Sequence, residues 1–397
     1  MTPALFLLTV AGIFLIGAIG ELVFRKTNVP DVVWLIAAGI LLGPVLHLVD
    51  RERLSGIAPY FAPITLTIVL FDGGSKLRIS DLSRAAPRSG LLAVITFALS
   101  TAGLAAAAMG ARKLGLFPAS FTWMHCLLIG AILGGSSSII IMPAMTQAKV
   151  DEKVSNLVGL ESAFTDAFCV VGASALIDML VPGRGGASPW IVLGKSFGIG
   201  AAIGAVAGGA WLVVLRLLKG SEHAYTVTLA SLFVLYVVIE RAGGSAALGI
   251  LSFAVLVGNA RSFTRESANP LGMDLGDDVR GFHRQMTFFV KSFFFTFIGA
   301  MLGPPWGLLA LGGALGLVLL VVRVPGLYLA VIGSTLTPKD KKLAVVSLPR
   351  GMAAGVLATM PAAAGVEGTG ELPAVVFAAV LVTILTFAIG FPVVRRG

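Results

Sequence analysis

Charge is what this sequence has least of. Only 12% of its 397 residues are Asp, Glu, Lys or Arg, where soluble domains carry about 25%. A chain so poor in charge and 57% hydrophobic excludes a soluble globular domain and reads as a polytopic membrane protein. Cysteine is scarce too. Cys126 and Cys169 both fall in apolar segments, which excludes a disulfide framework and a zinc site. Only four histidines are present, His47, His125, His223 and His283, each at or near the end of an apolar segment. They leave pH sensing and ordinary packing both open. No basic residue precedes the first apolar run, and no small-residue cleavage site is evident, so that run reads as a retained span rather than a signal peptide. The net charge of +9 is spread over short loops, so no nucleic-acid partner is expected; membrane topology explains the bases better.

What is present is a series of apolar runs. Thirteen spans are expected, at 4–24, 31–48, 57–72, 88–112, 121–147, 154–181, 190–217, 225–240, 246–260, 285–303, 308–333, 343–361 and 372–394. The 49 glycines suit closely packed membrane helices. Loops on one side hold 19 basic residues: Arg25, Lys26, Lys76, Arg78, Arg84, Arg88, Lys149, Lys153, Arg216, Lys219, Arg261, Arg265, Arg280, Arg284, Lys339, Lys341, Lys342, Arg395 and Arg396. The other side holds six: Arg51, Arg53, Arg112, Lys113, Arg184 and Arg241. This asymmetry predicts an N-terminus outside and a C-terminus in the cytoplasm.

Two spans are interrupted. Span 5 carries Gly134-Gly135-Ser136-Ser137-Ser138 near its middle, and span 12 carries Pro349-Arg350-Gly351 near its start. The interruptions lie seven spans apart. An odd offset means that spans 1–6 and 8–13 run in opposite directions. Paired breaks in inverted halves point to a transporter's binding site. Their freed backbone groups are tolerable only against protein or in a water-lined cavity.

The stretch 159-GLESAFTDAF-168 places two acids inside span 6. Asp166 lies about 18 Å along the helix, near the middle of a hydrocarbon core about 30 Å thick. A carboxylate there costs about 2.5–3.5 kcal/mol and marks a functional site by default. Ser162 and Asp166 share one helical face, and Glu161 and Thr165 share another about 100° away. Arg323, in the middle of span 11, cannot shed its charge and needs an anion. Glu161 is the natural partner for a structural ion pair. Lys291 and Lys195 lie near span ends, where a lysine can snorkel.

Five stretches then carry a resemblance: 27-TNVPDVVWLIAAGILLGP-44, 70-LFDGG-74, 160-LESAFTDA-167, 322-VRVPG-326 and 349-PRGMAAG-355. In this order they resemble the monovalent cation/proton antiporter family that includes the sodium/proton exchangers and the bacterial NhaP-type antiporters. The resemblance implies the sodium/proton antiporter fold: all-α, about 13 transmembrane helices, two inverted repeats with broken helices. It implies that a proton and a monovalent cation (Na⁺, Li⁺ or K⁺) occupy Asp166 in turn. Ser162, Thr165, Ser136, Ser137 and Asp72 would complete the cation and proton site, with Asp166 the carboxylate on the cation. Asp72 also reads as a simple helix cap, and Ser136 and Ser137 as groups that only satisfy the break. Gly134, Gly135, Arg350 and Gly351 would form the broken-helix region, and Glu161 with Arg323 the structural pair. Segments 88–181 and 308–394 would be a moving core, 4–72 and 225–303 a dimer scaffold, and 190–217 a linker helix. The protein would be a homodimer of the bacterial inner membrane, work as an elevator without cofactor, and not be an enzyme.

Two departures matter. The family's Asn before the key Asp is Thr165 here, and its Thr-Asp-Pro at the first break is Ser136-Ser137-Ser138. One titratable site exchanging one cation for one proton is the simplest reading, so electroneutral exchange is expected. The rival is a proton-coupled solute symporter. It needs a larger cavity with aromatic or basic groups, and span 6 offers only small and hydroxyl groups around Asp166. An intramembrane serine enzyme is disfavoured, because no nucleophile elbow surrounds the serines.

Overall fold

The computed structural model describes residues 3–27, 29–49, 51–76, 86–181, 189–218, 221, 223–260, 277–334 and 336–396. Every regular element among them is a helix. In chain order these are α1 Pro3–Thr27, α2 Asp31–Ile40, α3 Arg51–Lys76, α4 Ala86–Lys113, α5 Trp123–Leu133, α6 Ser138–Gln147, α7 Glu152–Leu180, α8 Pro189–Leu217, α9 Ala224–Arg241, α10 Ala246–Gly258, α11 Asp277–Met301, α12 Trp306–Ala330, α13 Pro338–Val346, α14 Met352–Ala363 and α15 Leu372–Arg396. The thirteen apolar segments thus fold as fifteen helices, because segments 5 and 12 are each two half-helices. Past α2 the chain widens into a π-turn over Leu41–Val45, with Pro44 inside it. Proline has no N–H to give a regular helical bond, which favours such a turn. Among the described residues, eight helical stretches are long and apolar enough to cross a membrane, and shorter apolar helices add to them.

The second interruption lies further along its segment than expected. The expected span opens at 343, but α13 already begins at Pro338. Thr337 and Asp340 form a reciprocal cap, with Thr337 Oγ1 accepting from the Asp340 N–H at 3.2 Å and Asp340 Oδ2 accepting from the Thr337 N–H at 3.0 Å. That cap starts a helix under three lysines that hydropathy alone excludes. Lys339, Lys341 and Lys342, counted as loop bases, are therefore in the first turns of α13, and the break at 347–351 is near the middle of its segment. Arg78, Arg84, Arg184, Lys219, Arg261 and Arg265 lie outside the described residues.

The chain packs as two compact units, one comprising Met1–Ala62, Arg88–Leu180 and Phe289–Gly397, the other Pro63–Pro87 and Val181–Phe288. Glycine makes the helix contacts inside each. In the first unit, a Cβ added at Gly299 would stand 2.1 Å from the Ile36 carbonyl, and one at Gly39 2.1 Å from the Thr296 carbonyl. Helices α2 and α11 therefore meet backbone to backbone. In the second unit a Cβ at Gly204 would stand 2.0 Å from the Gly249 carbonyl, which joins α8 to α10 in the same way. Small residues permit this approach where no hydrophobic force drives helices together. Gly299→Ala is expected to lower the thermal midpoint and the yield of folded protein, by about 1–3 kcal/mol of overpacking, because backbone cannot yield as a side chain can. An unchanged melting curve would show that α2 and α11 separate freely.

Lys291 does not snorkel. It is mostly buried and forms an ion pair with Asp31 at the start of α2. His125 is buried and structural: its Nδ1 accepts from the Thr122 N–H at 3.1 Å and caps the start of α5. Lys195 is exposed on α8.

Candidate functional site

Helix α7 carries four polar positions within two turns, Glu161, Ser162, Thr165 and Asp166. Glu161 meets Arg323 of α12 in a two-pronged pair. Nη1 donates to Oε1 at 2.7 Å and Nη2 to Oε2 at 2.8 Å. The Thr96 hydroxyl of α4, 2.7 Å from the Leu92 carbonyl, also lies 3.2 Å from Oε1, and Arg323 Nε donates to the Ala344 carbonyl of α13 at 3.1 Å. Glu161 is 1% exposed and Arg323 2%. The parallel fork suits a guanidinium on a carboxylate. It ties α7, α12, α4 and α13 together.

Ser162 and Thr165 instead reach the first break. Ser162 Oγ donates to the Ser136 carbonyl at 2.8 Å. Thr165 Oγ1 accepts from the Ser136 N–H at 3.2 Å and donates to the Ser162 carbonyl at 3.2 Å. Both backbone groups of Ser136, freed by the loss of helix, are thus satisfied by hydroxyls of α7. A threonine hydroxyl has one hydrogen and two lone pairs. At Thr165 the hydrogen is committed and one lone pair is occupied, so this residue holds the break in position. Ser162 keeps its lone pairs, and Ser136 Oγ is buried with no hydrogen-bond partner. Those oxygens, with the Ser136 carbonyl, lie along the stretch of α7 that carries Asp166. Asp166 is the fifteenth of the 29 residues of α7 and is half-buried.

The two breaks touch. The Ser137 N–H donates to the Pro349 carbonyl at 2.8 Å. A Cβ at Gly351 would stand 2.2 Å from Ser137 Oγ, so only glycine allows this approach. Gly134 closes α5 against the Phe97 ring, and Gly135 faces Cys169 Sγ and the Thr165 carbonyl. Each break presents one helix C-terminus and one N-terminus, with partial charges of opposite sign. Arg350 lies in the second break, 1% exposed, its own N–H donating to Thr383 Oγ1 at 3.0 Å.

Asp72 belongs to the other unit. It is not an exposed helix cap, since α3 continues through Gly73 and Gly74 and the residue is 5% exposed. His283 Nε2 is 3.2 Å from its Oδ1, and Tyr225 Oη is 3.0 Å from His283 Nδ1. His283, expected near a span end, sits inside α11 and is buried. Sequence reading singles out Asp72 and His283 but not Tyr225 or the contact among the three, and it misses Thr96, Ala344 and Thr383. These residues lie on other helices, and no local spacing ties them to the acids.

Thr165→Val is expected to leave the Ser136 N–H buried without an acceptor, at a cost of about 1–3 kcal/mol. Thr165→Ser is expected to retain the bond. A thermal-unfolding comparison of the two checks this; equal midpoints would remove Thr165 from the clamp.

Residues 10–395 match the family described as Sodium/hydrogen exchanger, transmembrane. The chain is similar to Na(+)/H(+) antiporter 1 of Methanocaldococcus jannaschii, 23% identical over 90% of this chain and 84% of that protein. It is also similar to the K(+)/H(+) antiporter NhaP2 of Shewanella oneidensis, 26% identical over 62% of this chain, and it spans only 44% of that longer relative. Among solved structures, the sodium proton antiporter MjNhaP1 from Methanocaldococcus jannaschii at pH 8 superposes with a TM-score of 0.78 at 19% identity, covering 99% of both chains.

Proposed function

Because the chain belongs to the sodium/hydrogen exchanger family, we propose that it is an antiporter that exchanges a monovalent cation for a proton at Asp166. It is an integral membrane transporter and not an enzyme. One observation carries the site assignment: two broken segments cross at Ser137 and Pro349 while hydroxyls of α7 hold Ser136 beside the stretch that bears Asp166. The Ser136 carbonyl, Ser136 Oγ and Ser162 Oγ supply neutral oxygens, and Asp166 supplies the charge. Hard oxygen donors of this kind suit a small bare ion. Ser137 positions the crossing. The relatives' names include both Na⁺/H⁺ and K⁺/H⁺ antiport, so Na⁺, Li⁺ and K⁺ are the ions to compare.

One carboxylate occupied alternately by one proton or one cation makes the exchange electroneutral. The helices of 88–181 and 308–394 move as the core of an elevator, and 4–72 and 225–303 form the scaffold of a homodimer. The asymmetry of the basic loops supports an N-terminus outside and a C-terminus in the cytoplasm, and the membrane proposed is a bacterial inner membrane.

The test uses purified protein in sealed liposomes, with an imposed pH gradient and a trapped pH dye. Na⁺, Li⁺ and K⁺ are added separately, with the membrane potential clamped at two values. Proton movement driven by one cation and insensitive to voltage is the expected result. No response to any of the three would overturn antiport, and a voltage-dependent rate would overturn one-for-one exchange.

A further inference from the structure

We propose that Arg350 is the resident counter-charge of the transport site, a fixed guanidinium that opposes the cargo cation at Asp166 and so sets how loosely that cation is held. The inference rests on the antiport reading above. Arg350 is the largest fully buried side chain among the described residues. Its Nε and Nη1 have no hydrogen-bond partner. A guanidinium cannot discharge itself, and a buried charge persists only where opposite charge balances it.

The charges within Coulombic range of Arg350 include Arg323, Glu161 and Asp166. Glu161 is already claimed on both oxygens by Arg323. Asp166 is the other carboxylate of that set. With Asp166 ionised and carrying no cargo, these four groups sum to zero. With a proton or a cation on Asp166, they sum to plus one. The two loaded forms carry the same charge, which is what one-for-one exchange needs. Both are also opposed by Arg350, so each cargo is released rather than trapped. A lone acid in the same place would hold a cation tightly and turn over slowly.

The experiment compares wild type, Arg350→Lys and Arg350→Gln in liposomes at a fixed alkaline pH, reading KM for the cation and kcat separately. Arg350→Gln is expected to lower KM severalfold, because a unit charge that opposes the cation in a medium far less screening than water is lost. Its kcat is expected to fall as release slows. Arg350→Lys keeps the charge and is expected to keep KM near wild type. A purely structural arginine would give a KM that rises or stays unchanged in Arg350→Gln, and that result overturns the proposal.

A thermal-unfolding cycle tests the same charge balance without transport. Asp166→Asn and Arg350→Gln each leave one charge uncompensated, so the double variant is expected to be more stable than the sum of the two losses allows. Should Arg350→Gln alone fail to fold, recovery in the double variant supports the counter-charge. Strictly additive losses, or no recovery, overturn it. A wild type inactive with every cation would sink the antiport reading, and the thermal cycle would still judge Arg350.

Discussion

Asp166→Asn is expected to reduce cation-driven proton movement to the level of empty liposomes, while the protein still inserts and purifies as a folded transporter. Asparagine has nearly the shape of aspartate, so packing around the middle of α7 is kept. It neither takes up a proton in the working range nor carries charge for a cation. At contact distance that charge is worth several kcal/mol even at an effective dielectric of about 20, so exchange should fall by about a thousandfold or more. The neutral oxygens of Ser162 and Ser136 remain in the variant, and without the charge they do not suffice. The measurement is initial rate in the dequenching assay against protein amount, with size-exclusion profiles as the folding check. Exchange above a few per cent of wild type would move the proton-carrying group elsewhere.

Glu161 and Arg323 have the second large expected effect, and it is on the fold rather than on transport. Replacing either partner alone, as in Glu161→Ala or Arg323→Met, leaves the other charge buried and is expected to cost about 3–5 kcal/mol. With residue exposures of 1% and 2%, water cannot rescue the survivor. The loss should show as poor yield and a lower thermal midpoint. Replacing both by apolar residues of similar volume is expected to recover much of it, since a buried pair often contributes little net stability beyond its absence of damage. Recovery here has a limit: Thr96 and the Ala344 carbonyl also lose a partner in the double variant. The measurement is a double-replacement thermal cycle alongside cation affinity in whichever variants fold. A Glu161→Ala protein with normal stability and altered affinity would make Glu161 a transport residue instead.

The two effects separate because a helix presents adjacent residues to different neighbours, each turned about 100° from the last. That offset is legible in the string Glu161-Ser162-Ala163-Phe164-Thr165-Asp166, whose polar positions form two pairs, each four apart. What spacing could not say is where Thr165 would turn. Its hydroxyl bonds both Ser136 and Ser162, so it holds the break in position. Likewise Asp72 reads as a helix cap next to two glycines, yet α3 runs on through them and His283 meets the acid. The place of the second break within its segment is hidden for a related reason. Hydropathy discounts Lys339, Lys341 and Lys342, and a capped helix start overrides hydropathy.

The sequence by itself determined the class of the protein. Low charge and long apolar runs admit only a membrane bundle, and mid-span Gly, Ser, Pro and Arg interrupt two helices because backbone in lipid tolerates no unexplained break. It also determined that an acid at Asp166 needs a functional reason and that Arg323 needs an anion, since desolvation penalises both wherever they fold. Only the tertiary structure decided which oxygens face Ser136, that Ser137 and Pro349 join the two breaks, that Lys291 pairs with Asp31, and that Arg350 has buried donors without partners. Those are contacts between residues far apart in the chain. Helical periodicity fixes which way a side chain leaves its own axis, and the packing of one helix on another fixes what it meets there.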